Sequence, residues 1–420
     1  MEYGCIGEHL KHSFSAEIHR ALAGYSYEIC EVASDALDRF LTERRFRGIN
    51  VTIPYKERVI PHLFAIDDMA RAIGAVNTIV NRNGKLYGYN TDFYGMRRLI
   101  EHVGLSLRGK KVAVLGTGGT SKTARAVARA LDAGCVLSVG RKAGEGVVDY
   151  DTLYRDHADV EILINTTPCG MFPYPNGNES IAAAAVDVSR FPNLCGVIDA
   201  VYNPLRSRLV LDASARKIPA EGGLYMLVAQ AVRACEIFLD ASLPPDTCDC
   251  VYNKILHEKE NIVLIGMPAS GKSTVGRLLA DALGREFLDS DDLIVNEAGR
   301  PISDIFQQDG EAFFRDLEGD IIARRIADRN GIVVATGGGA ILRDSNLDAL
   351  RRNGRIIFLD RPLADLLPTP DRPLAASAEA IRQRYEERYD RYCAAADCRI
   401  DVTGDAEWVA RAVRKELNLL

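Results

Sequence analysis

"IGMPASGKST", Ile265–Thr274, places Gly266, Gly271, Lys272 and Ser273 on the spacing G-x-x-x-x-G-K-S/T. The apolar run "NIVLIG" in front of it reads as a buried strand. From Lys272 onward Val275, Leu278, Leu279, Ala282 and Leu283 fall on one helical face. A glycine-rich turn between strand and helix lets backbone N–H groups wrap phosphate oxygens at the positive end of the helix. The expected phosphate contacts are therefore Gly266, Ala269, Ser270, Gly271, Lys272, Ser273 and Thr274. In such a loop the lysine ammonium reaches the terminal phosphates and the serine hydroxyl ligates magnesium, so ATP with Mg2+ is the expected ligand. The stretch predicts an α/β unit with a parallel sheet.

A second glycine turn, "LGTGGTSKTA" at Leu115–Ala124, comes earlier in the chain. It follows the buried run "KVAVL" and opens a helix in which Ala124, Val127, Ala128 and Leu131 recur at i, i+3, i+4 and i+7. That setting suits a dinucleotide pyrophosphate, with Gly116, Gly118, Gly119, Thr120 and Ser121 as its contacts. An NAD site normally adds an acid about 20 residues further on, at the end of the next strand. Here the strand "CVLSVG" runs into Arg141 and Lys142 instead. Two cations in that place favour the extra phosphate of NADP(H), with Arg141 facing it.

With 420 residues, 47% hydrophobic and 26% charged, the chain has globular composition and needs more than one core. Lys+Arg (52) are outnumbered by Asp+Glu (58), which gives no reason to expect nucleic acid or an anionic membrane as partner. The start, "MEYGCIGEHLKHS", has no basic region followed by a long apolar run, so a cytoplasmic protein is expected. Oligomeric state is left open, with a homo-oligomer allowed. The 10 cysteines are scattered, as reduced thiols are, and Cys248 and Cys250 read as spacer residues.

Strand-like runs ("SYEICEV", "GINVTI", "NTIV") alternate with helical stretches through residues 1–98, and the glycine-turn unit fills 99–222. Residues 223–256 complete the first of these. A proline-led, charged segment over 244–260 reads as a flexible linker, and the α/β pattern restarts over 261–420.

Downstream of the first-quoted loop stand "FLDSDDLI", "DGEAFFRDLE", "ATGGGAIL", "DRPLAA" and Arg388 in "QRYEERYDRY". This half resembles shikimate kinase. The resemblance implies that Asp289 supports magnesium with Ser273, and that Asp291 grips the acceptor hydroxyls in a catalytic role beside Lys272. It implies further that Arg315 and Arg388 hold the shikimate carboxylate, that Gly338 and Gly339 of the Gly337–Gly339 triplet line the substrate, and that Arg372 of "RPL" reaches the ATP phosphates. A planar guanidinium suits a carboxylate and a carboxylate suits vicinal hydroxyls, so the chemistry is coherent.

Around the second turn stand "KHSFS", "NVTIPYK", "GAVNTI", "GYNTDFYG", "NTTPCGM", "DAVYNPL" and "GGLYMLVAQA". Together these resemble shikimate dehydrogenase over residues 1 to about 256. The resemblance implies Lys56 and Asp92 as a catalytic pair, with Ser13, Ser15, Thr52, Asn77, Tyr202 and Gln230 as substrate contacts beside Asp92. The expected architecture is an α/β substrate domain and a Rossmann NADP-binding domain, tethered to a P-loop kinase domain with a parallel sheet. The expected function is NADPH-dependent reduction of 3-dehydroshikimate followed by ATP-dependent phosphorylation of shikimate. Two readings compete: a dehydrogenase preferring quinate or NAD fused to the kinase, and a regulator that binds pathway metabolites without turnover.

Overall fold

The computed structural model describes residues 1–8, 10, 13–173, 184–367 and 377–419. The chain divides into two compact units, Met1–Ile255 and Leu256–Leu420.

The first unit holds two six-stranded sheets. One is built from β1 (Tyr3–Gly7), β2 (Tyr27–Glu31), β3 (Gly48–Val51), β4 (Ala65–Ile66), β5 (Thr78–Arg82) and β6 (Lys85–Tyr89), in the order β2-β1-β3-β5-β6-β4. It is mixed: β1 runs parallel to β2 and β3, whereas β5 is antiparallel to both β3 and β6. The other contains β7 (Lys111–Leu115), β8 (Cys135–Gly140), β9 (Val147–Asp149), β10 (Ile162–Asn165), β11 (Gly196–Asp199) and β12 (Ala220–Glu221). Its order, β12-β11-β10-β7-β8-β9, is wholly parallel and reverses at β7, the doubly wound arrangement in which ligands sit beyond the carboxyl ends of the central strands.

Two helices bring the halves of this unit's chemistry together. Thr91–His102 starts at Asn90, whose side chain accepts from the Phe93 N–H at 3.1 Å, and carries Asp92 in its first turn, where a negative charge is favoured. Leu224–Leu239 packs against it at Gly95: a Cβ there would stand 2.6 Å from the Met226 carbonyl, so only glycine permits this approach.

The second unit has one parallel sheet of five strands: β13 (Asn261–Ile265), β14 (Phe287–Asp289), β15 (Val333–Ala335), β16 (Gly354–Asp360) and β17 (Cys398–Asp401), ordered β14-β15-β13-β16-β17. After Asn261, whose amide is buried and bonded to the Arg329 carbonyl and the Ile332 N–H, the central strand β13 is apolar because both its faces are covered. Ile262 and Leu264 enter one core with Val275, Leu279 and Val409, while Val263 and Ile265 enter another with Ile322, Phe358 and Tyr392.

The segment expected to be a flexible linker differs. It is an α-helix, Thr247–Lys259, with Cys248, Val251, Tyr252 and Ile255 buried. Those positions are spaced i, i+3, i+4 and i+7, a helical stripe hidden in the sequence by the preceding prolines and the dense charge around it. Cys248 is buried and Cys250 exposed; both are free thiols, like the other cysteines. No helix among the described residues is long and apolar enough to cross a membrane.

Candidate active sites

In the first unit, Lys56 stands just beyond β3 and Asp92 opens its helix, and Lys56 Nζ donates to Asp92 Oδ2 at 2.6 Å. The pair is mostly withdrawn from water, with side chains 15% and 11% exposed, so the ammonium and carboxylate compensate each other's desolvation. The other carboxylate oxygen of Asp92 accepts from Asn77 Nδ2 at 2.9 Å, and Asn77 Oδ1 accepts from the Thr91 backbone at 2.7 Å. Both sides of the pair are thus fixed from the scaffold.

A cavity opens on this pair. Ser15, Thr52, Asn77, Tyr202 and Gln230, all expected substrate contacts, line it together with Lys56, Asp92 and Thr120. Ser13 stands behind Ser15, its hydroxyl donating to Ser15 Oγ at 2.9 Å and accepting from the Ser15 N–H at 3.2 Å. Burial pushes the Tyr202 phenol up to about 12, so it meets a ligand as a neutral hydroxyl. Sequence reasoning missed Cys5, Asn50, Met226 and Leu227, which also line the cavity. Cys5 lies inside the short apolar strand β1 and carries no motif signal; burial drives its thiol up to about 12, making it an inert wall. Asn50 was legible only as a polar residue in an otherwise apolar strand.

The glycine turn borders the same cavity. Gly116 has φ +110° and a Cβ on it would stand 2.7 Å from Thr166 Oγ1, so the tight exit from β7 needs glycine. Ser121 closes the turn by donating to the Gly116 carbonyl at 2.6 Å. A Cβ on Gly118 would meet nothing within 4 Å, and one on Gly119 would stand 3.9 Å from Lys56 Cδ. This open cradle at the head of helix Gly119–Ala130 fits a pyrophosphate, adjacent to the lysine. Arg141 follows β8 and is exposed; a Cβ on the preceding Gly140 would stand 3.1 Å from Thr117 in the turn.

In the second unit the loop after β13 has the backbone that a phosphate cradle requires: Gly266 at φ +150°, Ala269 at +65° and Gly271 at +92°. Lys272 heads helix Lys272–Leu283, and its Nζ donates to the Gly266 carbonyl at 2.9 Å and the Met267 carbonyl at 2.8 Å. Ser270 is buried beneath the loop. Ser273 Oγ donates to Asp289 Oδ2 at 2.6 Å, which joins the two expected magnesium ligands, while Asp289 Oδ1 accepts from the Asp291 N–H at 3.0 Å. Thr274 follows on the exposed side of the helix. One hydroxyl and one carboxylate suit Mg2+, which takes its remaining ligands from phosphates and water.

The glycine triplet sits against the acceptor residues. A Cβ on Gly337 would stand 2.7 Å from Asp291 Oδ1, and one on Gly339 would run into the Arg315 guanidinium. Arg388 donates to the Gly338 carbonyl at 3.3 Å, and burial lowers its ionisation range, with Arg315 and Arg384 adding to the effect. Two buried guanidiniums therefore converge beside Asp291, the geometry of a carboxylate receptor. Glu318 was missed. It is fully buried, accepts from Arg315 Nη1 at 2.8 Å, and is pushed above the usual carboxyl range chiefly by burial. Its position three residues after Arg315 on helix Gly310–Ile321 was the available signal. Arg372 lies outside the described residues.

Comparison with known proteins bears on both units. A family model for the shikimate dehydrogenase substrate binding domain matches residues 5–79, and one for shikimate kinase matches residues 268–418. A shikimate dehydrogenase (NADP(+)) of Clostridium perfringens is 35% identical over 270 residues, covering 60% of this chain and 97% of that protein. The crystal structure of shikimate dehydrogenase 1 from Peptoclostridium difficile is 32% identical with a TM-score of 0.55, covering 61% of this chain and 98% of that one. A shikimate 5-dehydrogenase from Thermus thermophilus, solved in complex with NADP(H) and shikimate, is 26% identical with a TM-score of 0.53, covering 60% and 99%. Since the match takes in nearly the whole of these relatives, the chain belongs to the shikimate dehydrogenase family and continues into a shikimate kinase domain.

Proposed function

We propose that this chain performs two consecutive reactions on one metabolite: reduction of 3-dehydroshikimate to shikimate, then phosphorylation of shikimate to shikimate 3-phosphate. The observation that carries the first step is the buried Lys56–Asp92 pair at 2.6 Å in a cavity bordered by the glycine turn. NADPH bound at Gly116, Gly118, Gly119, Thr120 and Ser121, with Arg141 toward its extra phosphate, would supply the hydride. As the ketone oxygen gains charge, Lys56 Nζ stabilises it and delivers a proton. Asp92 keeps that ammonium aimed into the cavity, and Asn77 keeps Asp92 from turning away. Ser13, Ser15, Thr52, Tyr202 and Gln230 orient the ring hydroxyls and carboxylate.

For the second step, ATP with Mg2+ would supply the phosphoryl group, held by Gly266 to Thr274, with Ser273 and Asp289 on the metal and Arg372 on the phosphates. Arg315 and Arg388 fix the shikimate carboxylate. Gly338 and Gly339 allow the ring to approach, and Asp291 accepts the hydrogen bond of the hydroxyl that attacks. Lys272 balances charge on the transferring group. The domains behind these roles are a substrate domain over 1–98 completed by 223–256, a dinucleotide domain over 99–222 and a kinase domain over 261–420.

The test is a coupled assay of the purified protein with 3-dehydroshikimate, NADPH and MgATP. NADPH oxidation followed by shikimate 3-phosphate is expected; absence of either product removes the corresponding half of the reading.

A further inference from the structure

We propose that Asp199 is a positioning residue of the oxidoreductase site, which acts by tying the Thr166–Thr167 turn beside the dinucleotide loop to the Ala200–Tyr202 segment that walls the substrate cavity. Asp199 ends β11, is fully buried, and pairs in register with Asn165 at the end of β10. One carboxylate oxygen accepts from Asn165 Nδ2 at 2.8 Å and from the Val201 N–H at 3.0 Å, and the other accepts from Ser207 Oγ.

Each donor leads to a different wall of the site. Asn165 Oδ1 accepts from the Thr167 N–H at 3.0 Å and from Thr167 Oγ1 at 2.7 Å, which sets the turn whose Thr166 packs against Gly116. Val201 joins Ala200 and Tyr202, both lining the cavity. Ser207 caps helix Arg208–Ala215 and so anchors the far end of the same loop. One ionised oxygen pair thus holds cofactor side and substrate side in a single register, and three converging donors are most strongly satisfied by the charged form.

The group titrates where this can be read. Burial raises its carboxyl from 3.8 to about 6, opposed by the Ser207, Val201 and Asn165 hydrogen bonds. Of the charged residues on the surrounding elements, Glu161 pairs with Lys110 and Arg208 with Asp212, Glu221 stands in register with Ile198, the neighbour of Asp199, and Arg206 lies in the loop after β11. Below about pH 6 the neutral carboxyl loosens the register, so KM for shikimate and for NADP+ rises as pH falls.

This inference rests on the proposed oxidoreductase activity, and the experiment separates the two. Steady-state shikimate oxidation with NADP+ is measured from pH 5 to 8 on wild type, Asp199→Asn and Ser207→Ala, with the kinase reaction of each sample as its concentration standard and the melting of the first unit as its folding standard. No oxidation by wild type would overturn the functional reading and this inference with it. Given activity, Asp199→Asn should raise both KM values about 3- to 10-fold at pH 8, leave kcat within about 3-fold, and abolish the acid limb. Ser207→Ala, which removes one donor, should move that limb to higher pH. KM values that match wild type in Asp199→Asn, or an acid limb that persists there or stays in place in Ser207→Ala, overturn the assignment.

Discussion

The two sites handle buried charge differently. In the first unit the catalytic cation and anion neutralise each other, Lys56 on Asp92, and the carboxylate is braced again by Asn77. In the second, Lys272 donates to the Gly266 and Met267 carbonyls and Arg388 to the Gly338 carbonyl, while Arg315 is paired with Glu318 and Glu311. The difference follows the chemistry. Proton delivery to one developing oxygen needs a single ammonium aimed in advance, whereas phosphoryl transfer needs positive charge that moves onto an incoming polyanion.

The largest expected effect breaks the comparison outright. Lys56→Ala should lower shikimate oxidation by about 10²–10⁴-fold, the usual worth of a positioned proton donor, and leave phosphorylation near wild type. Lys272→Ala should do the reverse. Measuring both half-reactions on both variants checks this, and a variant that loses both would show that the sites do not act independently.

Glu318 comes next, because there the kinase site uses the dehydrogenase site's device, a buried carboxylate on a cation. Glu318→Gln should raise KM for shikimate about 10-fold while KM for ATP stays within about 2-fold, because Arg315 loses its fixed partner and keeps only Glu311. Equal changes in both constants would mean that Glu318 supports the domain rather than the carboxylate receptor.

What the sequence shows and hides follows the same physics. Motif residues are legible because ligand chemistry dictates their type and spacing: Gly266, Gly271, Lys272 and Ser273 could be read without any fold, and the missing acid after β8 pointed to Arg141. The strands β7 and β13 were legible because burial on both faces leaves each with four successive apolar residues after its first, Val112–Leu115 and Ile262–Ile265. The roles of Asn50, Glu318 and Asp199 were not, although Asp199 heads "DAVYNPL" and Glu318 ends "DGEAFFRDLE", since what a buried polar residue does depends on which partners the fold brings to it. The helix Thr247–Lys259 was hidden for a local reason: the exposed Asp249, Asn253 and Lys254 stand between its buried positions, and Asp249 accepts from the Tyr225 hydroxyl at 2.6 Å.

A smaller effect sharpens the contrast at the cofactor. Arg141 is exposed, so its attraction for the extra phosphate is screened, and Arg141→Ala should weaken NADPH about 10-fold while NADH changes little. Gly118→Ala separates fold from ligand, because a methyl there meets no protein atom within 4 Å. A raised KM for NADPH at unchanged melting temperature would place the pyrophosphate against Gly118; an unchanged KM would move it elsewhere.

The smallest effect concerns stability and distinguishes the two halves of the chain by pH. His19 is fully buried, its ring stacked 3.8 Å from Tyr27 and its Nδ1 2.6 Å from the Tyr25 hydroxyl, and burial lowers its range from 6.5 to about 3. The unfolded chain binds a proton below 6.5 that the native ring refuses until about 3, so this contribution is complete above pH 6.5 and is lost as pH falls toward 3. Asp199 has the opposite sign: its native range near 6 lies above 3.8, so its contribution grows as pH falls through 6. His19 departs further from its ordinary range and sets the direction of the pair. Each tenfold change in proton affinity is worth about 1.4 kcal/mol, which for a domain of this size is on the order of 3–6 °C in melting temperature. Between pH 6.5 and 5 the first unit should therefore lose stability faster than the second, and His19→Gln should flatten that slope without touching the kinase reaction. Calorimetry across this window checks it, because a slope unchanged by His19→Gln would assign the acid sensitivity to surface carboxylates instead.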